Sequence, residues 1–442
     1  MIKPGNIAIF FCLILSAMTL RAADFDVRKF GAKGDGTTKN TAAIQKAIDA
    51  CTEAGGGRVV LSGGVFLSAP LELKSGVDLH IEADATLLAS PDIEDYPDRT
   101  DVRHYLSEAM PRFRNASFLF ADEAENIAIS GRGKIDVNGQ YHIRRIPDEA
   151  YRGGRWYERI YPLRKTLPRV VFLAGCKFVS VTDISLVNQP AAWGFWIHDC
   201  DYVTFDRCKI ISDLRFPNND GIHINCSRDV SVSNCFIEAG DDALVVRANS
   251  RSLRENKPCE RVVVTNCTLK SWAYGIRVGW TNDGVMRNCV FSNLVISNSW
   301  RGIGMDFPEP HNRNDWGREP SLVEHIIFSN IIMDNLYSRP ISISVSTSEK
   351  LLFEGVRDIH FTNVHARSLE GLVLRGLEDK PLEDIVFTNC SFKQIKPDDV
   401  VVPKDMKAVF TNGVSTAHLK GLVMRDTLIE DTDGKSIIIK SE

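Results

Sequence analysis

The stretch Val230-Ser231-Val232-Ser233-Asn234-Cys235-Phe236-Ile237 decides the fold. Apolar side chains at 230 and 232 alternate with polar ones. A polar pair at 233 and 234 interrupts the alternation, and Cys235 and Ile237 resume it. Period-two alternation marks strands with one face turned inward, and the interruption marks a bend between two short strands. The same pattern recurs at Val203-Phe205-Cys208-Ile210, Val262-Val264-Cys267-Leu269, Ile326-Phe328-Ile331-Met333 and Ile385-Phe387-Cys390-Phe392. Val179-Val181-Ile184-Leu186 and Ile359-Phe361-Val364-Ala366 also fit it. From Val179 to Val262 the starts are 24, 27 and 32 residues apart, too close to hold a crossover helix between parallel strands. The repeat predicts an all-β fold, a right-handed parallel β-helix in which short strands wind into stacked coils. Unequal spacings read as loops inserted on one side. An Asn before the third apolar position, as at 234, 266, 330, 363 and 389, suits the bend, where its amide is expected to cap backbone groups.

Outward from the repeat, the Thr41–Cys51 segment has helical spacing in Ala43, Ile44, Ala47, Ile48 and Cys51, and Gly55-Gly56-Gly57 stops it. This short N-terminal helix is expected to cap the open end of the solenoid. Residues 1–22 read as a signal peptide: Lys3, an apolar run from Ile7 to Leu15, then Ala22 and Ala23. Residues 23–442 read as one parallel β-helix domain. The apolar run is short for a membrane span, so no span is expected after processing, and the chain is expected in the periplasm or outside the cell. Removing Lys3 and Arg21 takes the formal charge from −4 to −6, which gives no general affinity for nucleic acid. Among the eleven cysteines, Cys208, Cys235, Cys267 and Cys390 share one repeat position and read as small buried hydrophobes. No CxxC pair occurs, and no metal site or cofactor is expected. A disulfide off this ladder, such as Cys176 with Cys200, stays open. Asp95–Arg114 and Tyr141–Thr166 read as long loops beside a cleft.

Two short runs carry the chemistry: Pro217-Asn218-Asn219-Asp220-Gly221-Ile222-His223 and Gly240-Asp241-Asp242-Ala243-Leu244. Asp220 and Asp241 lie 21 residues apart, about one coil, so stacking would gather three carboxylates on one patch. Crowded carboxylates repel, and one stays protonated while its neighbours ionise, as acid/base cleavage of a glycosidic bond requires. Each Asp is also an ordinary turn residue, and Asp241 and Asp242 alternate across a strand, so their side chains are free to diverge.

With these motifs the chain resembles glycoside hydrolase family 28, the pectin-degrading polygalacturonase family. Asn218, Asp220 and Gly221 match its Asn-x-Asp-Gly motif, and Gly240, Asp241 and Asp242 match its Gly-Asp-Asp motif. The likeness begins at Phe25-Asp26-Val27-Arg28-Lys29-Phe30-Gly31-Ala32 and continues through Glu125-Asn126-Ile127-Ala128-Ile129-Ser130-Gly131. It implies an inverting hydrolase of pectic polysaccharide or oligosaccharide, with Asp241 as general acid and Asp220 and Asp242 holding the attacking water. Arg247 stands where a family lysine is usual, to bind substrate or balance the carboxylates. His198 resembles the family's cleft histidine, although for His198 and His223 a hydrogen-bonded structural role is the competing reading. Tyr274 replaces the histidine of a Gly-His-Gly motif. Gly304 and Asp306 replace the arginine and lysine that hold a galacturonate carboxylate, so Asp306 is expected to repel it unless Arg277 or Arg301 compensates. The substrate expected is therefore a modified pectin, of rhamnogalacturonan or branched type. A polysaccharide lyase on the same fold and a non-catalytic carbohydrate-binding β-helix are the other readings. Oligomeric state and endo or exo action stay open.

Overall fold

The computed structural model describes residues 23–97, 116–145, 160–162, 169–310, 317–403, 411 and 413–439. The expected leader, most of Asp95–Arg114 and much of Tyr141–Thr166 lie outside them. Within that last stretch the expected loop contains an antiparallel ribbon, Ile143–Arg145 against Ile160–Pro162.

The coils are built as the repeat predicts. Eleven strands form one parallel sheet, running in space from Leu71–Glu72 through Trp193–His198, Ile222–Asn225, Leu244–Arg247, Tyr274–Val278, Arg301–Phe307 and Ile341–Val345 to Ser415–Ala417. Twenty-four more strands make the remaining walls. Val203, Val230 and Val262 pair in register, as do Phe205, Val232 and Val264. Identical inward positions therefore stack from coil to coil. Phe291, Phe328, Phe361 and Phe387 form such a column, with ring centroids 4.8, 5.0 and 4.8 Å apart and planes within 10°. That spacing is close to the separation of hydrogen-bonded strands, so backbone pairing and ring stacking reinforce each other.

The bend has a conformational cause. Asn234, Asn266, Asn330, Asn363 and Asn389 all have φ between 52° and 56°, the left-handed region that Asn tolerates better than most residues. Their amides were expected to cap backbone groups. Along the outer corner they bond to one another instead: Asn363 donates to Asn330 at 2.9 Å and Asn389 to Asn363 at 2.8 Å.

The helix runs from Thr41 to Glu53 and buries Ile44, Ala47, Ile48 and Cys51 over the first coil. Gln45 supplies the capping chemistry. Its amide donates to the Glu72 carbonyl at 3.1 Å and accepts from the Glu72 N–H at 3.0 Å, satisfying an edge strand that has no preceding neighbour. The ten described cysteines are all free and buried. Cys176 and Cys200 form no disulfide; their thiols donate to the carbonyls of Ala174 and Leu173, both at 3.4 Å.

Candidate active site

The site lies on the outer face of the eleven-stranded sheet, at the N-terminal ends of its middle strands. Each strand begins with a small residue followed by an inward apolar one: Gly194-Phe195, Gly221-Ile222, Ala243-Leu244, Gly275-Ile276 and Gly302-Ile303. Gly221 has to be small, because a Cβ there would sit 2.4 Å from the Ala243 carbonyl oxygen. The residues just before these pairs share one column. The Gly194 N–H donates to the Asp220 carbonyl, Gly221 to Asp242 and Ala243 to Tyr274, and Tyr274 pairs with Arg301. The column therefore reads Trp193, Asp220, Asp242, Tyr274, Arg301, with Arg169 ahead of Trp193.

Asp220 thus stacks on Asp242, not on Asp241. Both are 4% exposed. Asp241 sits one residue earlier and is half-buried. Its Oδ2 accepts from the Asn218 N–H at 3.1 Å and from the Asn218 amide at 3.4 Å, while its Oδ1 accepts from the Asp242 N–H at 3.0 Å. Asn219 fixes the turn by accepting from the N–H groups of Gly240 at 2.7 Å and Asp241 at 3.0 Å. Asp242 faces Arg277, which donates to it through Nε and, at 3.3 Å, through Nη2. The Tyr274 N–H also donates to Asp242, at 3.0 Å.

The electrostatics follow from this crowding. Burial, then the Asp242 carboxylate, pushes Asp241 up to about 6, while Arg277 and the backbone donors pull it partly back. Burial, then Asp241 and Asp242, pushes Asp220 well above the carboxylate range. His223 is held well below the usual imidazole value by burial, then by Arg247, Arg169 and Arg277, so its ring is neutral. Its Nδ1 lies 3.0 Å from Asp220 Oδ2, and its ring stacks on Trp193 at 3.9 Å.

The remaining predicted residues fall into three surroundings. His198 is buried, with Asn225 at Nδ1 and Ser252 Oγ 3.0 Å from Nε2. Arg247 is held by a partner the sequence did not suggest, the fully buried Asp283, through two 2.6 Å hydrogen bonds. It enters the cluster only through its long-range charge. Arg277 lies between the rings of Tyr274 and Trp280, its guanidinium carbon 4.2 and 4.3 Å from their centroids.

The patch expected to repel uronate is internally neutralised. The Tyr274 hydroxyl donates to Asp306 and accepts from Arg301. Ser342 and Ser344 donate to the other Asp306 oxygen at 2.7 and 2.5 Å, and Arg301 Nη1 stands 3.9 Å from Asp306. Asp306 is therefore compensated by Arg301, while Arg277 is taken up by Asp242. Gly304 is part of the same unit, since a Cβ there would lie 2.2 Å from Tyr274 Cε1. The tyrosine ring fills the space an arginine at 304 would need. Trp193, Arg169, Asp283, Ser342 and Ser344 were not found from sequence. The first was legible in it, because Trp193 heads the same small-apolar repeat that Asp220 and Asp242 do.

Fold and site together define a parallel β-helix whose broad outer sheet carries a crowded aspartate cluster. The model of the glycosyl hydrolases family 28 matches residues 66–399, and the chain belongs to that family. An exo-poly-alpha-D-galacturonosidase of Dickeya chrysanthemi is 26% identical over 366 residues, covering 73% of this chain and 57% of that protein. A probable polygalacturonase of Vitis vinifera is 26% identical over 298 residues, covering 65% and 58%. The chain thus spans under two thirds of the length of either relative. The crystal structure of a hyperthermoactive exopolygalacturonase from Thermotoga maritima superposes with a TM-score of 0.70 at 22% identity, covering 95% of both chains. The fold is the right-handed parallel β-helix expected from the repeat.

Proposed function

We propose that this chain is an inverting glycoside hydrolase of pectic polysaccharide. One observation carries the reading. Asp241, the aspartate of the cluster least enclosed by protein, is pushed up to about 6, so near that pH it holds a proton to give and regains it readily. In the proposed reaction Asp241 protonates the leaving glycosidic oxygen. Asp220 and Asp242, stacked in the neighbouring column, hold the attacking water, and Asp242, the carboxylate paired with Arg277, receives its proton as the new C–O bond forms. Arg277 orients Asp242, and His223 is the neutral hydrogen-bond partner of Asp220. Asn218 holds Asp241 at the mouth of the site.

Substrate follows from the closed patch. With Tyr274 tied to Asp306 and Arg301, and Tyr274 standing over Gly304, the Arg301 charge is already offset by Asp306 before a galacturonate carboxylate arrives. We propose a modified pectin, of rhamnogalacturonan or side-chain type, over plain polygalacturonan. Export to the periplasm or the outside belongs to the same proposal, and mass analysis of the mature N-terminus tests it.

A panel of pectic oligosaccharides, with products identified by mass and anomeric configuration, tests the whole. The expected result is new reducing ends of inverted configuration, abolished by Asp241→Asn. Retained configuration overturns the assigned roles. An ultraviolet-absorbing unsaturated product that a chelator suppresses makes the protein a lyase.

A further inference from the structure

A second feature lies past the C-terminal ends of the strands whose N-terminal ends carry the aspartates. Where each coil leaves the eleven-stranded sheet, one residue turns the chain with positive φ. Register places Asn126, Asp229, Asn288, Asp358, Asp384 and Gly421 in this column, the residue types that tolerate the left-handed region. Three coils break the rule, with Phe178 at φ 55°, Tyr202 at φ 58° and Arg261 at φ 57°, while His325 at φ 53° is a residue type enriched there. Bulky side chains in this conformation are outliers, and such strain persists where something other than local preference maintains it.

The core does not maintain it. Phe178 is 51% exposed and Tyr202 is 53% exposed. Their rings stack on each other, centroids 5.0 Å apart and planes 5° from parallel. Arg261 also sits in this column, but it lies along the coil axis in ion pairs with Asp229 and Glu260. The aromatic pair has no such polar partner. The rungs on either side carry the shorter Asn126 and Asp229. Beside the rings, the outward positions of the sheet are small: Ser180, Thr204 and Ser231 pair in register. The surface there is flat and rich in hydroxyl groups. Lys177, half exposed, precedes Phe178 and is held only loosely by Glu125 at 3.9 Å.

We propose that Phe178 and Tyr202 form an accessory binding platform for a pectic polysaccharide strand, separate from the aspartate site. Each ring covers one face of the other, and the outer face of each, beside the shorter Asn126 or Asp229, fits the C–H face of a pyranose. The serine and threonine strip fits its hydroxyls, and Lys177 fits a uronate carboxylate. The column stands across the sheet from the site, past the C-terminal ends of its strands, so one long chain laid over the sheet reaches both places while a short oligosaccharide reaches one. The choice of glycan rests on the functional reading above; the platform itself rests on the rings.

The test is the double variant Phe178→Asn, Tyr202→Asn. Asparagine already occupies this column at 126 and 288, so the fold is expected to be kept and the melting temperature unchanged or raised. Binding to polygalacturonan and rhamnogalacturonan polymers is measured by affinity electrophoresis in an Asp241→Asn background, and turnover of polymer and of a short pectic oligosaccharide in the otherwise native chain. The expected result is about tenfold weaker binding to a polymer, a matching loss of polymer turnover at low concentration, and unchanged turnover of the oligosaccharide. Equal polymer binding by the variant overturns the platform. So does a native dimer that the variant dissolves, which makes the rings a contact between copies. Absence of all hydrolysis with ring-dependent polymer binding sinks the functional reading and leaves the platform standing.

Discussion

Two patches on the same sheet, with Asp242 and Asp306 two coils apart, solve the same problem oppositely. Around Asp220, Asp241 and Asp242, three carboxylates are crowded and buried with one guanidinium, Arg277, bonded to the group. Around Asp306, a single carboxylate meets Arg301, Tyr274, Ser342 and Ser344. The first patch is undercompensated, and its protons are displaced toward neutral pH. The second carboxylate is saturated by hydroxyl donors and its charge is offset by Arg301. Undercompensated charge is what acid/base chemistry needs, and saturation is what a structural wall needs. The proposed function therefore reads the first patch as cleavage machinery and the second as a closed uronate grip.

The sharpest way to break this comparison is to remove the acid. Asp241→Asn is expected to lower kcat on a cleaved pectic oligosaccharide by about 10²–10⁴-fold with little change in KM, and steady-state kinetics check it. An undiminished kcat would mean the crowded patch is no more catalytic than the saturated one. Next comes Arg277→Gln. Asp242 is buried, and without its guanidinium it becomes an uncompensated charge. The expected cost is about 3–5 kcal/mol of stability, read by denaturant unfolding, together with a rise in the Asp241 pKa.

The saturated patch has its own test. Gly304→Ala places a methyl against the Tyr274 ring and is expected to cost about 1–3 kcal/mol. Tyr274→Ala in the same chain should recover much of that loss, since it removes the colliding ring. A double-mutant cycle with no coupling would separate the two residues that the structure joins.

The smallest effect is on pH. Asp241 and Asp220 both have folded-state values above their unfolded ones. The folded chain therefore holds more protons than the unfolded chain above the ordinary aspartate value, and stability falls as pH rises from about 4 through about 6 and beyond. Asp220→Asn should flatten that decline, leaving the variant more stable relative to the native chain at pH 8 than at pH 4. Thermal melts across pH 4–8 measure it. Turnover should decline above pH 6 as Asp241 loses its proton.

Much of this was legible in the residues. Val230 to Ile237 carried the strand period and the bend, and the bend asparagines sit in the left-handed region the corner demands. The helix was legible because Ile44, Ala47, Ile48 and Cys51 follow its period, although Gln45's grip on the strand edge was not. The three aspartates were legible through spacing and motif. Which of them stack was not: a one-residue slip decides whether Asp220 sits over Asp241 or Asp242, and hydrogen-bond register settles it. The partners of the arginines were equally hidden. Arg247 reaches Asp283, thirty-six positions away, only because two coils bring them level.

The sequence by itself determined the coil, its cap and the presence of three carboxylates, because period, turn preference and motif are local properties of the chain. The tertiary structure alone decided which charges are spent. Compensation depends on distances between side chains on different coils, and no local pattern encodes them. For that reason Arg277 serves Asp242, Arg301 serves Asp306, and Tyr274 occupies the space above Gly304.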